Sequence, residues 1–313
     1  MGNCQTINKA VELSGNSYDD GDSGGSGSGS NKRQPPVDIK IIETCIPSSI
    51  ENDNFQIPIK IFMPATTANT THRAVVFFIH GGMFAFGDRN SHPTISHALC
   101  QLGLVVVTAS FRNGEEAPHE SNVTMRDLND VVDHCVQTYT DLPFGLVGSS
   151  SGGFFAIHLT QTLDSTNKIA FCIPICPVAD PFKRASYLRS SITGSAHSDG
   201  YTAVHTPEKS KYILEKQLSF WKSDESMLEA RESTRSNTNN VPTLLIIGSA
   251  DKNVPFDVTN EVQGWATRTV VIGGKGHELC DKIVEGGGYC CYLPDIERIV
   301  AICRILNDFL SIV

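Results

Sequence analysis

Six short apolar runs constrain the fold of this chain more than any other feature: AVVFFI (74–79), LVVVTAS (104–110), FGLVG (144–148), KIAFCIPI (168–175), TLLIIG (243–248) and TVVIG (269–273). None alternates polar with apolar as a strand with one wet face does, so each reads as a strand buried on both faces. Such strands need helices above and below them. Helical patterns fall between the runs, near 92–102, 122–139, 152–163 and 257–266, and Val123, Leu128, Val131, Val132 and Val136 share one side of the second. A last helix over 294–312, opening after Leu293 and Pro294, gathers Ile296, Ile299, Val300, Cys303, Leu306 and Leu310 on one face. Ahead of all these, VDIKIIETCI (37–46) and FQIPIKIFM (55–63) flank SSIENDN and predict an antiparallel pair. The order predicts an α/β fold with a mostly parallel, eight-stranded sheet and helices on both faces.

One connection, about 177–241, is far longer than the others. It carries helical patterns near 207–220 and 223–232 and is rich in aromatics: Phe182, Tyr187, Tyr201, Tyr212, Phe220 and Trp221. An insertion of that length predicts a helical lid or cap, whose aromatics could line an acyl or aryl pocket. The length of 313 residues suits one domain with appendages, and 40% hydrophobic with 19% charged residues suits an ordinary globular core. The expected division is a tether over 1–36 and a single domain over 37–313.

Residues 14–31, SGNSYDDGDSGGSGSGSN, hold almost nothing that burial could stabilise, so the entropy of ordering them predicts a flexible coil. The preceding MGNCQT places Gly2 and Thr6 as N-myristoylation requires, with Cys4 beside them as a palmitoylation candidate. A single myristoyl chain holds a protein only marginally and needs a second signal. Lys9, Lys32 and Arg33 face Glu12, Asp19, Asp20 and Asp22, so there is no basic patch and Cys4 would supply that signal. With no apolar run long enough to span a bilayer and no secretory h-region, the expected location is cytoplasmic, at the cytosolic face of a membrane through the acylated N-terminus. The formal charge of −9 offers no field for a phosphate backbone, so no nucleic-acid partner is expected. Ten cysteines show no zinc-type spacing, and neither a metal nor a cofactor is expected. Cys135, Cys172, Cys176 and Cys303 sit in apolar stretches as core thiols. Cys280, Cys290 and Cys291 share a Gly-rich segment where a cytosolic setting disfavours a bridge.

Chemistry enters where the strand ending at Val147 meets the helix from Gly152. The chain there reads GSSSGG (148–153), a G-x-S-x-G pattern centred on Ser150. A turn sharp enough to expose a serine brings two backbones together, and glycine at 148 and 152 removes the Cβ atoms that would collide. The helix N-terminus behind Ser150 favours developing negative charge. Average Gly and Ser usage produces the string in about one chain in ten of this length, so the pattern needs company. It has it: HGGMFAFGD (80–88) follows the strand AVVFFI, where main-chain N–H groups can converge on an oxyanion and the N–H of Ser151 adds a donor.

The HGG string resembles the HGGG loop of the hormone-sensitive-lipase-like carboxylesterases, within the α/β-hydrolase superfamily. The resemblance implies an α/β-hydrolase fold, oxyanion donors at Gly82 and Met83, and loop-orienting roles for His80 and Gly81. It also implies a catalytic acid at Asp251, in LLIIGSADKNVP, and a base at His277, on the glycine-rich loop of VVIGGKGHE. Ser150, Asp251 and His277 then follow the chain order of this superfamily. The segment FRNGEEAPHESNVTMRDLNDVVDH (111–134) looks like a looser form of another family stretch. The elbow departs from the usual GDSAGG by Ser149 and Ser151, and DKNVP stands where DPLRDE is usual, which leaves dienelactone-hydrolase-like and arylformamidase-like branches open.

These residues together imply a serine hydrolase that cleaves a small-molecule or lipid carboxylic ester through an acyl-enzyme. An acylated tether would favour substrates at the membrane, such as a lipid, an acylated protein or an isoprenylcysteine ester. The remaining alternative is a ligand-binding or scaffold protein on a hydrolase fold. The other histidines, including His92 and His158, are expected to serve packing or the surface.

Overall fold

The computed structural model describes residues 38–51, 54–65, 72–114, 121–163, 169–194, 206–273, 276–277 and 305–311. The tether, Gly2 and Cys4, Cys280, Cys290, Cys291 and Cys303, and most of the expected helix 294–312 lie outside them. Eight strands form one sheet in the order β1-β2-β4-β3-β5-β6-β7-β8. They are β1 (Ile39–Pro47), β2 (Gln56–Pro64), β3 (Ala74–Ile79), β4 (Leu104–Ala109), β5 (Phe144–Ser149), β6 (Phe171–Ile175), β7 (Leu244–Gly248) and β8 (Arg268–Ile272). β1 and β2 pair antiparallel, β2 meets β4 antiparallel, and β3 to β8 run parallel.

The continuous apolar runs explain why both faces are covered. Along β3, Val75, Phe77 and Ile79 enter one core while Ala74, Val76 and Phe78 enter the other, as the two-residue period of a strand requires. On the first side lie α2 (Ser121–Thr138), through Leu128, Val131, Val132 and Cys135, and α3 (Ser151–Thr162), through Phe154 and Phe155. On the second lie α1 (Pro93–Gln101), through Ile95 and Leu99, and the helical residues 305–310, through Leu306 and Phe309. Arg112, just after β4, grips Asp127 of α2 with Nε and Nη2 at 2.9 and 2.6 Å, which ties that loop to the helix layer. Among the described residues, no helix is long and apolar enough to cross a membrane.

Among the described residues, three helices occupy the connection from β6 to β7: α4 (Pro181–Thr193), α5 (Pro207–Trp221) and α6 (Asp224–Glu232). The last two match the helical patterns of the sequence. α4 lies outside those patterns; it buries one face through Arg184, Ala185, Leu188 and Ser191, and its ends are marked: Asp180 accepts the N–H of Lys183, Pro181 opens the first turn and Gly194 closes it in the left-handed region. The expected helix 257–266 divides into a 3-10 turn (Phe256–Thr259) and a short α7 (Asn260–Trp265). Of the cap aromatics, Tyr187, Phe220 and Trp221 are buried in the core and pack the connection onto the sheet, Phe182 and Tyr212 are half-buried against it, and Tyr201 lies outside the described residues. The side chains of Cys100, Cys135, Cys172 and Cys176 are buried, whereas Cys45 is disulfide-bonded.

Candidate active site

Parallel strands share one C-terminal edge, and the loops leaving it are where α/β sheets place reactive groups. At that edge β3 leads into residues 80–88, β5 into Ser150, β7 into Asp251 and β8 toward His277. Ile79 and Gly148 are opposite one another in neighbouring strands, which brings the first two loops together.

Ser150 sits at φ 56° and ψ −121°, a conformation that costs a non-glycine residue about 1–3 kcal/mol. The turn is tied down on several sides. Its N–H donates to the Ile175 carbonyl at 2.9 Å, and its own carbonyl accepts from Gly153 and Val178, both at 3.0 Å. A Cβ at position 148 would lie 2.2 Å from the carbonyl oxygen of Gly152, and one at 152 would lie 2.1 Å from that of Ile79. Glycine at both positions is therefore a condition of the turn's approach to β3.

His277 lies above the elbow, with Nε2 3.0 Å from Ser150 Oγ and Nδ1 2.8 Å from Asp251 Oδ2. All three side chains are buried. The second carboxylate oxygen of Asp251 accepts the N–H groups of Asn253 and Val254, each at 2.9 Å. Burial alone would push this carboxyl up. The charge and hydrogen bond of His277 and the two N–H donors outweigh it and hold Asp251 below the usual carboxylate range. An ionised Asp251 orients the imidazole with its proton on Nδ1, leaving the Nε2 lone pair for the Ser150 hydroxyl. Ser150 alone of the three adjacent serines meets His277. Ser149 Oγ bonds to His92 Nε2 at 3.2 Å, and Ser151 Oγ is buried with no partner among the described residues.

The loop after β3 bends back beside the elbow. Gly82 has φ 143°, and Met83 and Phe84 follow at 60° and 64°, in the left-handed region that L-residues ordinarily avoid. The Gly82 carbonyl accepts from Ala85 and Phe86 at 3.0 and 2.9 Å, closing a tight turn. His80 stacks on Phe111, centroids 4.2 Å apart, and its Nδ1 donates to the Gly81 carbonyl at 3.0 Å. The N–H of Gly81 is itself taken by His92 Nε2 at 3.3 Å. The main-chain groups next along this loop are those of Gly82 and Met83.

His92 is a correction to the sequence expectation. It is no mere packing residue: its buried Nε2 accepts from the loop and from Ser149 of the elbow at once. The local sequence signals only that Pro93 starts a helix, and no periodicity marks the histidine before it. Asn253 and the fully buried Arg184, which donates to it, were equally invisible, because their partners lie 69 residues apart. His158 does serve packing, stacked on Phe154 and bonded to Ser233.

Beside the loop, a cavity of about 260 Å³ is lined by Ala85, Phe86, Gly87, Asn113, Lys216 and Ser219, among others. Among the described residues one group has metal-ligating types close together: Cys176, Asp251 and His277, with ligand atoms within 4.8 Å of one another. Asp251 and His277 already bond each other, and His277 the serine.

The family described as alpha/beta hydrolase fold matches residues 76–254, more than half of the chain. The ethyl acetate hydrolase of Pseudomonas putida is 24% identical over 247 residues, 72% of each chain. Among solved structures, an esterase of Pyrobaculum calidifontis superposes with a TM-score of 0.64 at 16% identity, covering 87% of this chain and 84% of that one. A bacterial brefeldin A esterase, described as a homologue of human hormone-sensitive lipase, gives 0.65 at 15% identity over 92% and 80%. At such identities the structural likeness speaks for the fold.

Proposed function

The chain belongs to the alpha/beta-hydrolase family, and from that premise we propose that it is a carboxylesterase-like serine hydrolase. The observation that carries this is the unbroken chain Ser150 Oγ–His277 Nε2 and His277 Nδ1–Asp251 Oδ2, at 3.0 and 2.8 Å, on a strained turn. Ser150 Oγ attacks the ester carbonyl carbon as His277 Nε2 takes its proton. The N–H groups of Gly82, Met83 and Ser151 hold the oxyanion, with His80 and Gly81 shaping the loop. The tetrahedral adduct collapses, the alcohol leaves with the proton from His277, and an acyl-Ser150 ester remains. Water then gives its proton to His277 and attacks the acyl carbon. The carboxylic acid departs and Ser150 recovers its hydrogen. Asp251 stabilises the imidazolium in both halves, and the steps need neither metal nor cofactor. The esterase names of the relatives support an ester as substrate over a formamide.

A fluorophosphonate probe tests this directly. Wild type should be labelled and Ser150→Ala should not. A folded wild type that resists the probe would leave the fold with a binding or scaffold role. A series of aryl esters of increasing acyl length, run beside an aryl formamide, reads the substrate class, and preference for the formamide would move the chain to the arylformamidase branch.

The N-terminus supports a place for the enzyme. MGNCQT and the Gly/Ser-rich stretch behind it fit a doubly acylated tether at the cytosolic face of a membrane, with Gly2 myristoylated and Cys4 palmitoylated. In that setting the 37–313 domain, with 177–241 as its cap, would reach lipid or acyl-protein esters. Labelling by a myristate analogue should vanish in Gly2→Ala, and labelling that persists sinks the anchor.

A further inference from the structure

Both N–H groups that bind Asp251 Oδ1 belong to peptide units whose other ends are held by α4. The N–H of Asn253 shares its peptide with the carbonyl of Lys252, and that carbonyl accepts from Tyr187 Oη at 2.9 Å. The N–H of Val254 shares its peptide with the carbonyl of Asn253, and that carbonyl accepts from Arg184 Nε at 3.1 Å. A trans peptide is planar, with C=O and N–H pointing in opposite directions. Fixing the carbonyl therefore aims the N–H. A donor at the carbonyl also polarises the amide, which strengthens the bond its N–H makes in a low-dielectric interior.

Arg184 is committed to this task more fully than packing requires. Its guanidinium is completely buried, and Nη2 and Nη1 reach Asn253 Oδ1 at 2.5 Å and Gln217 Oε1 of α5 at 2.8 Å. Burying a cation is costly, and apolar side chains pin one helix to another at lower cost. Donating to the carbonyl of the 253–254 peptide, and to the side chain of the same asparagine, is something that an apolar side chain cannot do.

We propose that Arg184 and Tyr187 are positioning residues for Asp251: through the 252–253 and 253–254 peptides, α4 sets the orientation of the two N–H groups that hold the carboxylate in line with His277. The proposal rests on reading Ser150, His277 and Asp251 as catalytic. It makes the β6–β7 connection part of the proton-transfer apparatus as well as a cover.

The test compares full-length Tyr187→Phe, which keeps the buried ring and removes one donor, with Arg184→Met and Arg184→Lys. Leu188→Val, a buried change in α4 that touches neither carbonyl, is the control. Rates are taken per site titrated by fluorophosphonate, so loss of folded protein does not register. Tyr187→Phe should lower kcat about tenfold with KM within twofold, Arg184→Met should lower it further, and Arg184→Lys should recover part of that loss. Leu188→Val should lower only the urea midpoint. A second readout is independent of turnover: the low-field proton resonance of His277 Nδ1–H bonded to Asp251 should move upfield or broaden in Tyr187→Phe and Arg184→Met, and stay in place in Leu188→Val. That readout decides the proposal even for a chain that hydrolyses no ester. Unchanged kcat per titrated site and an unmoved resonance in both variants, or equal losses in Leu188→Val, would overturn it.

Discussion

Phe84 of the loop after β3 stacks on Phe220 of α5, ring centroids 5.3 Å apart and planes 22° from parallel. Phe154 and Phe155 of α3 and Trp221 close around the same ring at 5.7, 5.5 and 5.3 Å. Phe84 also carries one of the two left-handed backbones beside Gly82, so aromatic packing holds a conformation that the backbone alone would leave. Phe220→Leu should cost about 1–2 kcal/mol of stability and, by loosening the loop, reduce kcat about tenfold with a smaller change in KM. Urea denaturation and steady-state kinetics on a short aryl ester measure the two effects, and an unaltered kcat would separate the loop from α5.

The three neighbouring serines should behave differently. Ser150→Ala removes the proposed nucleophile and should reduce kcat by about 10⁴-fold or more. Ser149→Ala loses a bond to His92 and Ser151→Ala loses none among the described residues. Both should still be labelled by a fluorophosphonate, which gel fluorescence would show.

Replacing His92 withdraws the acceptor that the Gly81 N–H and the Ser149 hydroxyl share. His92→Leu should destabilise the protein by about 1–3 kcal/mol, the cost of a buried polar group losing its partner, and should lower kcat as the loop shifts on the elbow. His92→Gln offers an acceptor again and should recover part of both. Equal kcat in all three proteins would show that the loop holds its place without the imidazole.

His158 makes stability pH-dependent. Burial lowers its pKa from 6.5 to about 4, because the folded state favours the neutral ring. Its contribution is therefore fully present above the unfolded value of about 6.5 and is lost as pH falls through about 4. The displacement corresponds to at most ~3 kcal/mol. His158→Gln should flatten the fall in unfolding free energy between pH 6.5 and 4, measured by urea titration at intervals across that range. A slope identical to wild type would assign the loss to other groups.

Much of this was readable in one dimension. The six apolar runs predict the parallel strands, and in the first five burial on both faces removes the need for alternation; the sixth, β8, ends the sheet half-covered with Val271 exposed, so its apolar run did not signal two buried faces. The two segments ahead of them predict the antiparallel β1–β2 edge. GSSSGG announces the elbow through its glycines, since close backbone approach is a local demand. α4 escaped because its buried face carries Arg184 and Ser191 beside Ala185 and Leu188, and a search for an apolar period passes over such a mixture. That Tyr187, Phe220 and Trp221 belong to the core was not legible, because an aromatic side chain packs equally well in a core or a pocket, and composition does not distinguish them.

What the sequence determined by itself was the set of reactive residue types and the order of strands and helices, which are properties of neighbours along the chain. What only the tertiary structure decided was which groups meet. Ser150 and His277 are 127 residues apart and Ser150 is one of three adjacent hydroxyls, yet a single Oγ lies 3.0 Å from Nε2. His92 joins two loops, and Arg184 reaches across 69 residues to the peptide whose N–H serves Asp251. Hydrogen bonds act over about 3 Å, and only the folding of the sheet brings residues so distant in sequence within that range.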